Sequence, residues 1–350
     1  MHVYHSLDEL PPALGPSIVA IGNFDGVHRG HLSILADVCA RAQARGARAI
    51  AITFDPHPLR VLRPQVAPRL ITPLAEKLRL LAAVGSTPPS GLGAFNPAAQ
   101  PSANGLYATL VLPFTRQFSE LSAEAFASGV LAQALGAVEV HEGDNFRFGY
   151  QAQAGMQELR RLGQQMGFAA FTHPVLSVRG LTVASSQVRA LISDGALSQA
   201  RALLGRPFSI LSTPARGRGI GTRLLVPTIN LAPYEELLPA NGVYITRLRI
   251  GHPLNDGAPA PCFNAVTNAG NRPTFGEDSY AIESYLLDYD PADPPELTPE
   301  TPLELSFLAR LRSEQRFPSP EALKAQILRD VAHAKRYLRL ARSLTHGRLT

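Results

Sequence analysis

The stretch IVAIGNFDGVHRGH, residues 18–31, decides the fold of the N-terminal half of the chain. An apolar run ends at Ile21, and Gly22, Gly26 and Gly30 then lead into a segment with a helical pattern. Glycine lets backbone N–H groups approach an anion closely, and a helix N-terminus adds about half a positive charge at the same point. The stretch therefore predicts a strand, a phosphate-binding turn and a helix.

The turn carries two histidines where a common phosphate-binding loop has a lysine. It matches neither GxGxxG nor GxxxxGK[ST], because His28 and His31 take the place of that lysine. Since they are three residues apart, both rings are expected on one face of the helix, where both can donate hydrogen bonds to one phosphate. A plain strand-to-helix turn is the alternative interpretation of the same residues.

Further apolar, β-prone runs alternate with helical patterns as far as about residue 195. They lie at residues 49–54, 107–112, 138–140 and 168–172. A helix is predicted from His31 to Arg45, closed by Gly46 in the left-handed conformation. This alternation predicts an α/β domain with a doubly wound, Rossmann-like parallel sheet and helices on both faces.

Short strand candidates separated by turns follow after about residue 205. They lie at residues 208–211, 229–231, 242–250, 262–267, 281–288 and 303–311. Strands without intervening helices predict a small antiparallel β-barrel. A C-terminal helix follows, with Ser319 as its cap. Its apolar stripe consists of Leu323, Ile327, Val331, Ala334 and Leu338.

These patterns divide the chain into two predicted domains, residues 1–200 and 205–345. Within the first, residues 86–105 read STPPSGLGAFNPAAQPSANG and show neither a helical nor a strand period. Proline, glycine and small polar residues without a period are typical of a loop, so we expect a flexible surface insertion there.

Composition narrows the class of protein further. The 350 residues are 45% hydrophobic, and no apolar run approaches the roughly 20 residues of a membrane span. Cys39 and Cys262 have no partners at metal-ligand spacing, which argues against a disulfide framework or a zinc site and favours the reducing cytoplasm. The arginines behind the net charge of +5 are scattered, so nucleic acid is not an expected partner. Neither export nor membrane binding is expected, and a homo-oligomer is left open.

Polar residues beyond the ends of the predicted parallel strands add to the histidine turn. Asp55 follows the second strand, and Asn145 lies in the run GDNFRFG. Ser185, Ser186 and Arg189 open another helix. Taken alone, these three are more simply a helix cap and a solvated arginine. Beside the histidine turn they predict a second phosphate clamp, because open α/β sheets bind ligands beyond the carboxyl ends of their strands.

Several runs are similar to those of one known family. In the first half they are IGNFDGVHRGH, TFDPHPL, RLITPLAEKLRLL, LPFTRQFSELSAEAF, GDNFRFG, SSQVR and LLGRPF. In the second half they are VPTIN, NGVY, NAGNRPTF, IESYLLD and LRSEQRF. In this order they resemble the prokaryotic bifunctional riboflavin kinase/FMN adenylyltransferases, also called FAD synthetases. The resemblance spans nearly the whole chain.

The resemblance implies that the first half is a nucleotidyltransferase with an H-x-G-H loop, in which the phosphate of FMN attacks the α-phosphorus of ATP. FAD and pyrophosphate result, and the step needs alignment and charge compensation rather than a protein nucleophile. By resemblance, His28 and His31 hold the ATP phosphates, and Ser185 and Arg189 hold the departing end. The implied substrate-binding residues are Gly22, Asn23, Phe24, Asp25, Gly26, Gly30, Asp55, Asn145, Ser185 and Ser186.

For the barrel, the resemblance implies a riboflavin kinase that uses Mg²⁺ and ATP. It assigns Thr228 and Asn230 to Mg²⁺ and makes Glu283 the base for the riboflavin 5′-hydroxyl. The other implied kinase-site residues are Gly221, Arg223, Arg272 and Arg312. Without the resemblance, a Thr and an Asn at a strand start are usually turn formers, and a Glu between apolar residues usually faces solvent.

The kinase half departs from the family pattern at two places. The usual G-R-x-x-G-F-P-T-A-N reads GTRLLVPTIN at residues 221–230, with Leu225 in place of a glycine, and the proline-rich segment 290–302 replaces D-L-Y-G. A side chain at that glycine hinders a close backbone approach. One alternative is therefore an FMN adenylyltransferase with a degenerate, flavin-binding or regulatory kinase-like domain. An alternative from another class is a non-catalytic flavin-sensing regulator.

Overall fold

The structure, a computed structural model, describes residues 1–12, 14–85, 105–215, 228–251, 260–271, 280–287, 295 and 297–346. The insertion predicted at residues 86–105 lies outside the described residues except for Gly105, and so do Gly221, Arg223, Leu225 and Arg272. The chain forms two compact units. The described residues of the first lie within Met1–Thr87 and Ala99–Ser185, and those of the second within Ser186–Thr350.

The first unit is built on a six-stranded sheet in which every neighbouring pair is parallel. The strands lie in the order β1-β4-β3-β2-β5-β6. They are β1 (His2–Tyr4), β2 (Ser17–Ile21), β3 (Arg48–Asp55), β4 (Ala108–Pro113), β5 (Ala137–Gly143) and β6 (Ala169–His173). This confirms the predicted doubly wound sheet. The short edge strand β1 was not predicted, because three residues are too few to show a period.

Helices connect these parallel strands. They are α1 (Arg29–Arg45), α2 (Pro58–Leu62), α3 (Leu74–Ala82), α4 (Arg116–Ser119), α5 (Ala123–Phe126), the π-helical segment Ala127–Ala134, and α6 (Met156–Met166). Single 3-10 turns occur at Leu7–Glu9, Pro64–Val66 and Tyr150–Ala152, and a small hairpin pairs β7 (Ser177–Val178) with β8 (Leu181–Thr182). Helix α1 ends as predicted, with Gly46 at a φ of 62°.

The apolar runs of the sequence form the centre of this sheet. Every residue of β2 is buried, and Ile50, Ile52 and Leu110 of the adjoining strands belong to the same core. Strand β2 lies between β3 on one side and β5 on the other, so the chain reverses its direction of winding there. Open α/β sheets bind ligands in the crevice beyond the strand ends at such a point, and the histidine turn follows directly from β2.

The second unit contains a closed antiparallel barrel. Two helices precede the barrel: α7 (Ser185–Ser193), whose first residue is the last of the first unit, and α8 (Leu197–Leu204). The barrel strands are β9 (Phe208–Ser212), β10 (Thr228–Leu231), β11 (Gly242–Ile250), β12 (Cys262–Asn271), β13 (Tyr280–Leu286) and β14 (Leu303–Arg312). The terminal helix α9 (Pro320–His346) follows. The sheet order is β10-β13-β12-β11-β14-β9. Beyond β9, Thr213 and Ala215 exchange backbone hydrogen bonds with Ala232 and Asn230, which closes the barrel.

The C-terminal helix packs on the barrel with the predicted stripe. Val331, Ala334 and Leu338 contact a cluster that includes Val243 and Leu308. Ser319 caps the helix through its Oγ, which accepts a hydrogen bond from the backbone N–H of Ala322 at 3.2 Å. The predicted barrel with a terminal helix is therefore confirmed.

Among the described residues, no helix is long and apolar enough to cross a membrane. Cys39 and Cys262 are both free thiols, Cys39 buried and Cys262 exposed.

Candidate active sites

The predicted phosphate-binding turn has an unusual backbone. The φ angle is 45° at Phe24, 84° at Gly26 and 37° at Val27, so left-handed conformations crowd into four successive residues. Only glycine adopts such angles at no steric cost, so the conformations of Phe24 and Val27 have to be supported by their surroundings.

Asp25 provides that support from inside the protein. Its carboxylate is 1% exposed and accepts hydrogen bonds from the backbone N–H groups of Ile71 at 2.9 Å and Thr72 at 3.0 Å. Thr72 Oγ1 accepts one from the N–H of Gly26 at 3.0 Å, and Ser185 Oγ donates one to the Asp25 carbonyl at 2.8 Å. These bonds fix the turn to the segment before α3 and to the first residue of α7.

The N-terminus of α1 brings the two histidines together. His28 caps the helix, since its Nδ1 accepts a hydrogen bond from the backbone N–H of His31 at 3.3 Å. In a neutral ring this leaves the proton on Nε2, which is then a donor. The rings stack with their centroids 3.6 Å apart, and the Phe24 ring meets His31 edge-on at 5.2 Å. The helix N-terminus and both imidazoles form one corner of the candidate site, and a helix N-terminus attracts anions.

Four other predicted residues of the first unit lie at or just after the ends of β2, β3 and β5. The N–H of Gly22 donates to the Ile52 carbonyl at 2.9 Å, and the Asn23 carbonyl accepts from Thr53 Oγ1 at 3.3 Å. Asp55 is exposed at the end of β3, and Asn145 is exposed just after β5. Ser186 and Arg189 lie in the first two turns of α7, in the second unit.

Lys77 is a charged group that sequence reasoning missed. It is buried on α3, and its Nζ donates to Thr53 Oγ1 at 3.3 Å. Burial lowers the pKa of its ammonium group, while the nearby carboxylates of Asp25 and Asp55 act in the opposite direction. A signal was present, because Lys77 shares a helix face with the buried Leu80 and Leu81.

Glu142 is a second buried charged residue that the sequence did not single out. It is the last residue but one of β5, and its Oε1 accepts a hydrogen bond from the backbone N–H of Ile21, at the end of β2. Burial raises the pKa of its carboxyl group well above the usual range, and the Ile21 hydrogen bond opposes that shift only in part. The Glu142 carboxyl group therefore holds the two strands together immediately before the turn.

In the second unit, strand register places the predicted kinase residues on one face of the sheet. Asn230 of β10 is paired with Glu283 of β13, and Glu283 is paired with Asn268 of β12. Directly opposed residues point to the same face with Cβ atoms about 4.5–5.5 Å apart, and Thr228 joins that face two residues before Asn230. The neighbouring Ser284 points the other way, where its hydroxyl hydrogen-bonds Thr267 at 2.9 Å.

This face suits a hard divalent cation. The hydroxyl of Thr228 and the amide oxygen of Asn230 are oxygen donors, which Mg²⁺ prefers, and the carboxylate of Glu283 lies on the same face. The donor set therefore fits a magnesium ion shared with phosphate oxygens and water.

Arg312 binds a carboxylate of the protein itself, although the sequence resemblance implies that it binds substrate. Its Nε and NH2 both bind the buried carboxylate of Asp330, on α9, at 3.0 and 2.9 Å. Gln326 donates to the same carboxylate at 2.9 Å. The guanidinium group of Arg312 therefore ties the last barrel strand to the terminal helix.

Comparison with known proteins assigns both units. Residues 11–87 and 99–187 match the family described as FAD synthetase, and residues 204–338 match the family described as riboflavin kinase. A bifunctional riboflavin kinase/FMN adenylyltransferase from Pseudomonas fluorescens is 33% identical over 338 residues, which is 96% of this chain and 97% of that protein. The chain belongs to the bifunctional riboflavin kinase/FMN adenylyltransferase family. The resemblance drawn from the sequence is thereby confirmed.

Other relatives agree with membership of the bifunctional riboflavin kinase/FMN adenylyltransferase family. The Escherichia coli K12 protein of the same description is 30% identical over 339 residues, covering 97% of each chain. Among solved structures, one titled as a macrolide-efflux protein from Streptococcus pneumoniae superposes with a TM-score of 0.78 at 21% identity, over 95% of this chain and 98% of that one. That likeness concerns the fold alone.

Proposed function

We propose that the chain makes FAD from riboflavin in two ATP-dependent steps, one in each unit. The barrel transfers the γ-phosphoryl group of ATP to riboflavin and gives FMN and ADP. The first unit transfers the adenylyl group of a second ATP to FMN and gives FAD and pyrophosphate. The adenylyl half is carried by the stacked pair of His28 and His31 at the N-terminus of α1, and the kinase half by the register that sets Asn230 beside Glu283.

In the adenylyl step, a phosphate oxygen of FMN attacks the α-phosphorus of ATP. The new P–O bond forms as the bond from the α-phosphorus to the bridging oxygen of the β-phosphate breaks, and pyrophosphate leaves. Negative charge grows on that bridging oxygen, so donors from His28 and His31 stabilise the transition state more than bound ATP. Ser185, Ser186 and Arg189 would hold the departing pyrophosphate.

The other residues of the first site act mainly through position. Asp25 is occupied by the backbone of Ile71 and Thr72, so we assign it to holding the turn rather than to touching substrate. The turn residues Asn23, Phe24 and Gly30, together with Asp55 and Asn145, would place the two reactants. Gly22 and Gly26, whose N–H groups are bound to Ile52 and Thr72, would shape the turn.

In the kinase step, the riboflavin 5′-hydroxyl oxygen attacks the γ-phosphorus and ADP leaves. Glu283 accepts the hydroxyl proton as the new bond forms. Thr228 and Asn230 would hold Mg²⁺, which when bound neutralises charge on the ATP phosphates. Gly221, Arg223 and Arg272 are proposed at the same site from the sequence resemblance.

Two observations favour a second candidate, in which the barrel binds flavin without phosphorylating it. Leu225 stands where the family has a glycine, and Arg312 is bound to Asp330 within the barrel unit. In that case the chain would be an FMN adenylyltransferase with a regulatory kinase-like domain. The two free thiols, Cys39 and Cys262, suit the reducing cytoplasm proposed for either version.

The test separates the two steps by their substrates. The purified chain is incubated with Mg-ATP and either riboflavin or FMN, and the flavins are resolved by chromatography. We expect FMN and FAD from riboflavin, and FAD from FMN. FAD from FMN together with no product from riboflavin would replace the kinase proposal by the flavin-binding version. No product from either substrate would leave a non-catalytic regulator.

A further inference from the structure

Three side chains of the first unit converge outside the adenylyl site, and neither proposed reaction uses them. They are Asp37 in the middle of α1, His141 on β5 and His173 at the end of the edge strand β6. Strand register explains the convergence, because His141 is paired with Phe171 and His173 lies two residues further along β6. Both imidazoles therefore leave the same face of the sheet.

The converging atoms have the spacing of metal ligands. His141 Nδ1 lies 3.0 Å from His173 Nε2, and Asp37 Oδ2 lies 3.6 Å from the first nitrogen and 3.7 Å from the second. A point equidistant from these three atoms is about 2.0 Å from each, which is the length of a Zn–N or Zn–O bond. The three distances therefore admit a metal ion, while Asp37 Oδ2 also accepts a hydrogen bond from Arg41 Nε at 3.1 Å.

A second carboxylate prepares the inner histidine for this role. Glu139 Oε2 lies 3.0 Å from His141 Nε2, so the proton of a neutral ring belongs on Nε2 and leaves Nδ1 as a lone-pair donor. Such a carboxylate–histidine pair commonly supports a ligating imidazole.

The surrounding charges and rings keep the cluster in place. Glu139 is held by Arg45 at 2.8 Å and Arg41 at 3.3 Å. Phe171 stacks on the His141 ring with centroids 4.9 Å apart, and the guanidinium carbon of Arg41 lies 4.5 Å from the centre of the Phe171 ring. The side chains of Asp37 and His173 are 40% and 19% exposed, so a metal can enter from solvent and keep a water molecule as its fourth ligand.

We infer that Asp37, His141 and His173 form a site for a borderline divalent transition metal, of which Zn²⁺ is the expected occupant. Two imidazoles and one carboxylate without sulfur suit Zn²⁺ rather than Mg²⁺, which prefers oxygen ligands only. The metal links α1 to the two strands at the edge of the sheet, so its role is structural. Its ligands come from three elements that are far apart in the sequence, so the site has no motif of closely spaced ligands such as pairs of cysteines form.

The test uses the full, tag-free chain, stripped with a chelator and dialysed against Zn²⁺ in the presence of excess Mg²⁺. We expect one tightly held equivalent of zinc in the native protein and in His333→Asn, whose histidine is exposed on α9. His173→Asn and Asp37→Asn should each lose that equivalent. With Co²⁺ in place of Zn²⁺, the visible absorption of a low-symmetry, four-coordinate site should appear in the native protein and vanish in both variants.

Two further measurements keep the result decisive. Zinc at 100 times its Kd should raise the ratio of folded to unfolded protein about 100-fold in the native chain but not in His173→Asn. His31→Asn should keep the equivalent, because the histidine pair of α1 is not the proposed site. No bound zinc in the native chain, zinc retained by His173→Asn, or zinc lost in His31→Asn would overturn the site. Should Asp37→Asn not fold, His173→Asn alone decides, since its side chain lies at the edge of the sheet.

Discussion

Gly30 lies directly against the imidazole ring of His28. A Cβ atom added at Gly30 would be 3.2 Å from both Cε1 and Nδ1 of that ring, and Nδ1 is the atom that caps α1. Glycine at this position of the H-x-G-H loop therefore leaves the space that the imidazole ring of His28 needs. Its own φ does not lie in the left-handed region.

Gly30→Ala should weaken adenylyl transfer without affecting the kinase step. Overpacking typically costs about 1–3 kcal/mol, so we expect a fall of about 10- to 100-fold in kcat/KM for FAD formation from FMN. Gly129→Ala is the matched control, because a Cβ at Gly129 meets no atom within 4 Å and should change neither step. An unchanged rate of FAD formation in Gly30→Ala would show that the His28 ring has room to move.

His28→Ala and Glu283→Ala should separate the two reactions. The first should lower FAD formation from FMN by about 100- to 1,000-fold and spare FMN formation. The second should lower FMN formation from riboflavin by about 100- to 10,000-fold and spare FAD formation from FMN. Initial rates with each flavin measure both, and equal loss of the two steps in either variant would contradict separate sites.

Thr72→Val should loosen the histidine turn. It keeps the shape of the side chain but removes the acceptor for the buried N–H of Gly26, which costs about 1–3 kcal/mol. Calorimetry should show a lower Tm, and FAD formation should fall. Thr109→Val is the control, since Thr109 is equally buried but hydrogen-bonds only the Met1 sulfur. Equal effects of the two substitutions would mean that the Gly26 bond contributes nothing specific.

Glu142→Gln should change how stability depends on pH. Because the folded-state pKa of Glu142 is raised, the folded protein binds more protons than the unfolded chain between the two pKa values. The native free energy of unfolding therefore falls as pH rises above about 4.5, by up to about 1.4 kcal/mol per pH unit. The Glu142→Gln variant has no carboxyl group to titrate there, so its free energy of unfolding should increase relative to that of the native chain as the pH rises.

Denaturant unfolding at several pH values measures that difference. Glu158→Gln provides the control, because Arg161 lowers the pKa of this exposed carboxylate, and its pH dependence should have the opposite sign and be small. A difference between Glu142→Gln and the native chain that stays constant with pH would show that Glu142 is ionised in the folded state.

Arg312→Met and Asp330→Asn should each destabilise the barrel. Removing one partner of a mostly buried ion pair costs about 3–5 kcal/mol, and the double variant should cost less than the sum because no charge is then left alone. Arg329→Met, which loses only hydrogen bonds to Gln326 on the same helix, should have little effect. A higher KM for riboflavin in Arg312→Met without a loss of stability would instead place Arg312 at the flavin.

The sequence predicted the local fold of the candidate site because short-range rules govern it. The glycines and histidines of residues 22–31 follow a buried strand, and that order alone predicts an anion-binding corner at a helix start. It did not predict that Asp25 would be occupied by Ile71 and Thr72, or that Arg312 would bind Asp330. A hydrogen-bond partner many residues away leaves no trace in a local pattern.

Residue patterns alone were enough to predict the longer strands, the helix after the histidine turn, the C-terminal helix, the change from sheet to barrel, and the family, because each follows from short-range periodicity or from runs of adjacent residues. Tertiary packing buried Lys77 and Glu142 and brought Asp37, His141 and His173 together. Side chains separated by some hundred residues are brought within bonding distance by strand register and helix packing, and those depend on the whole fold.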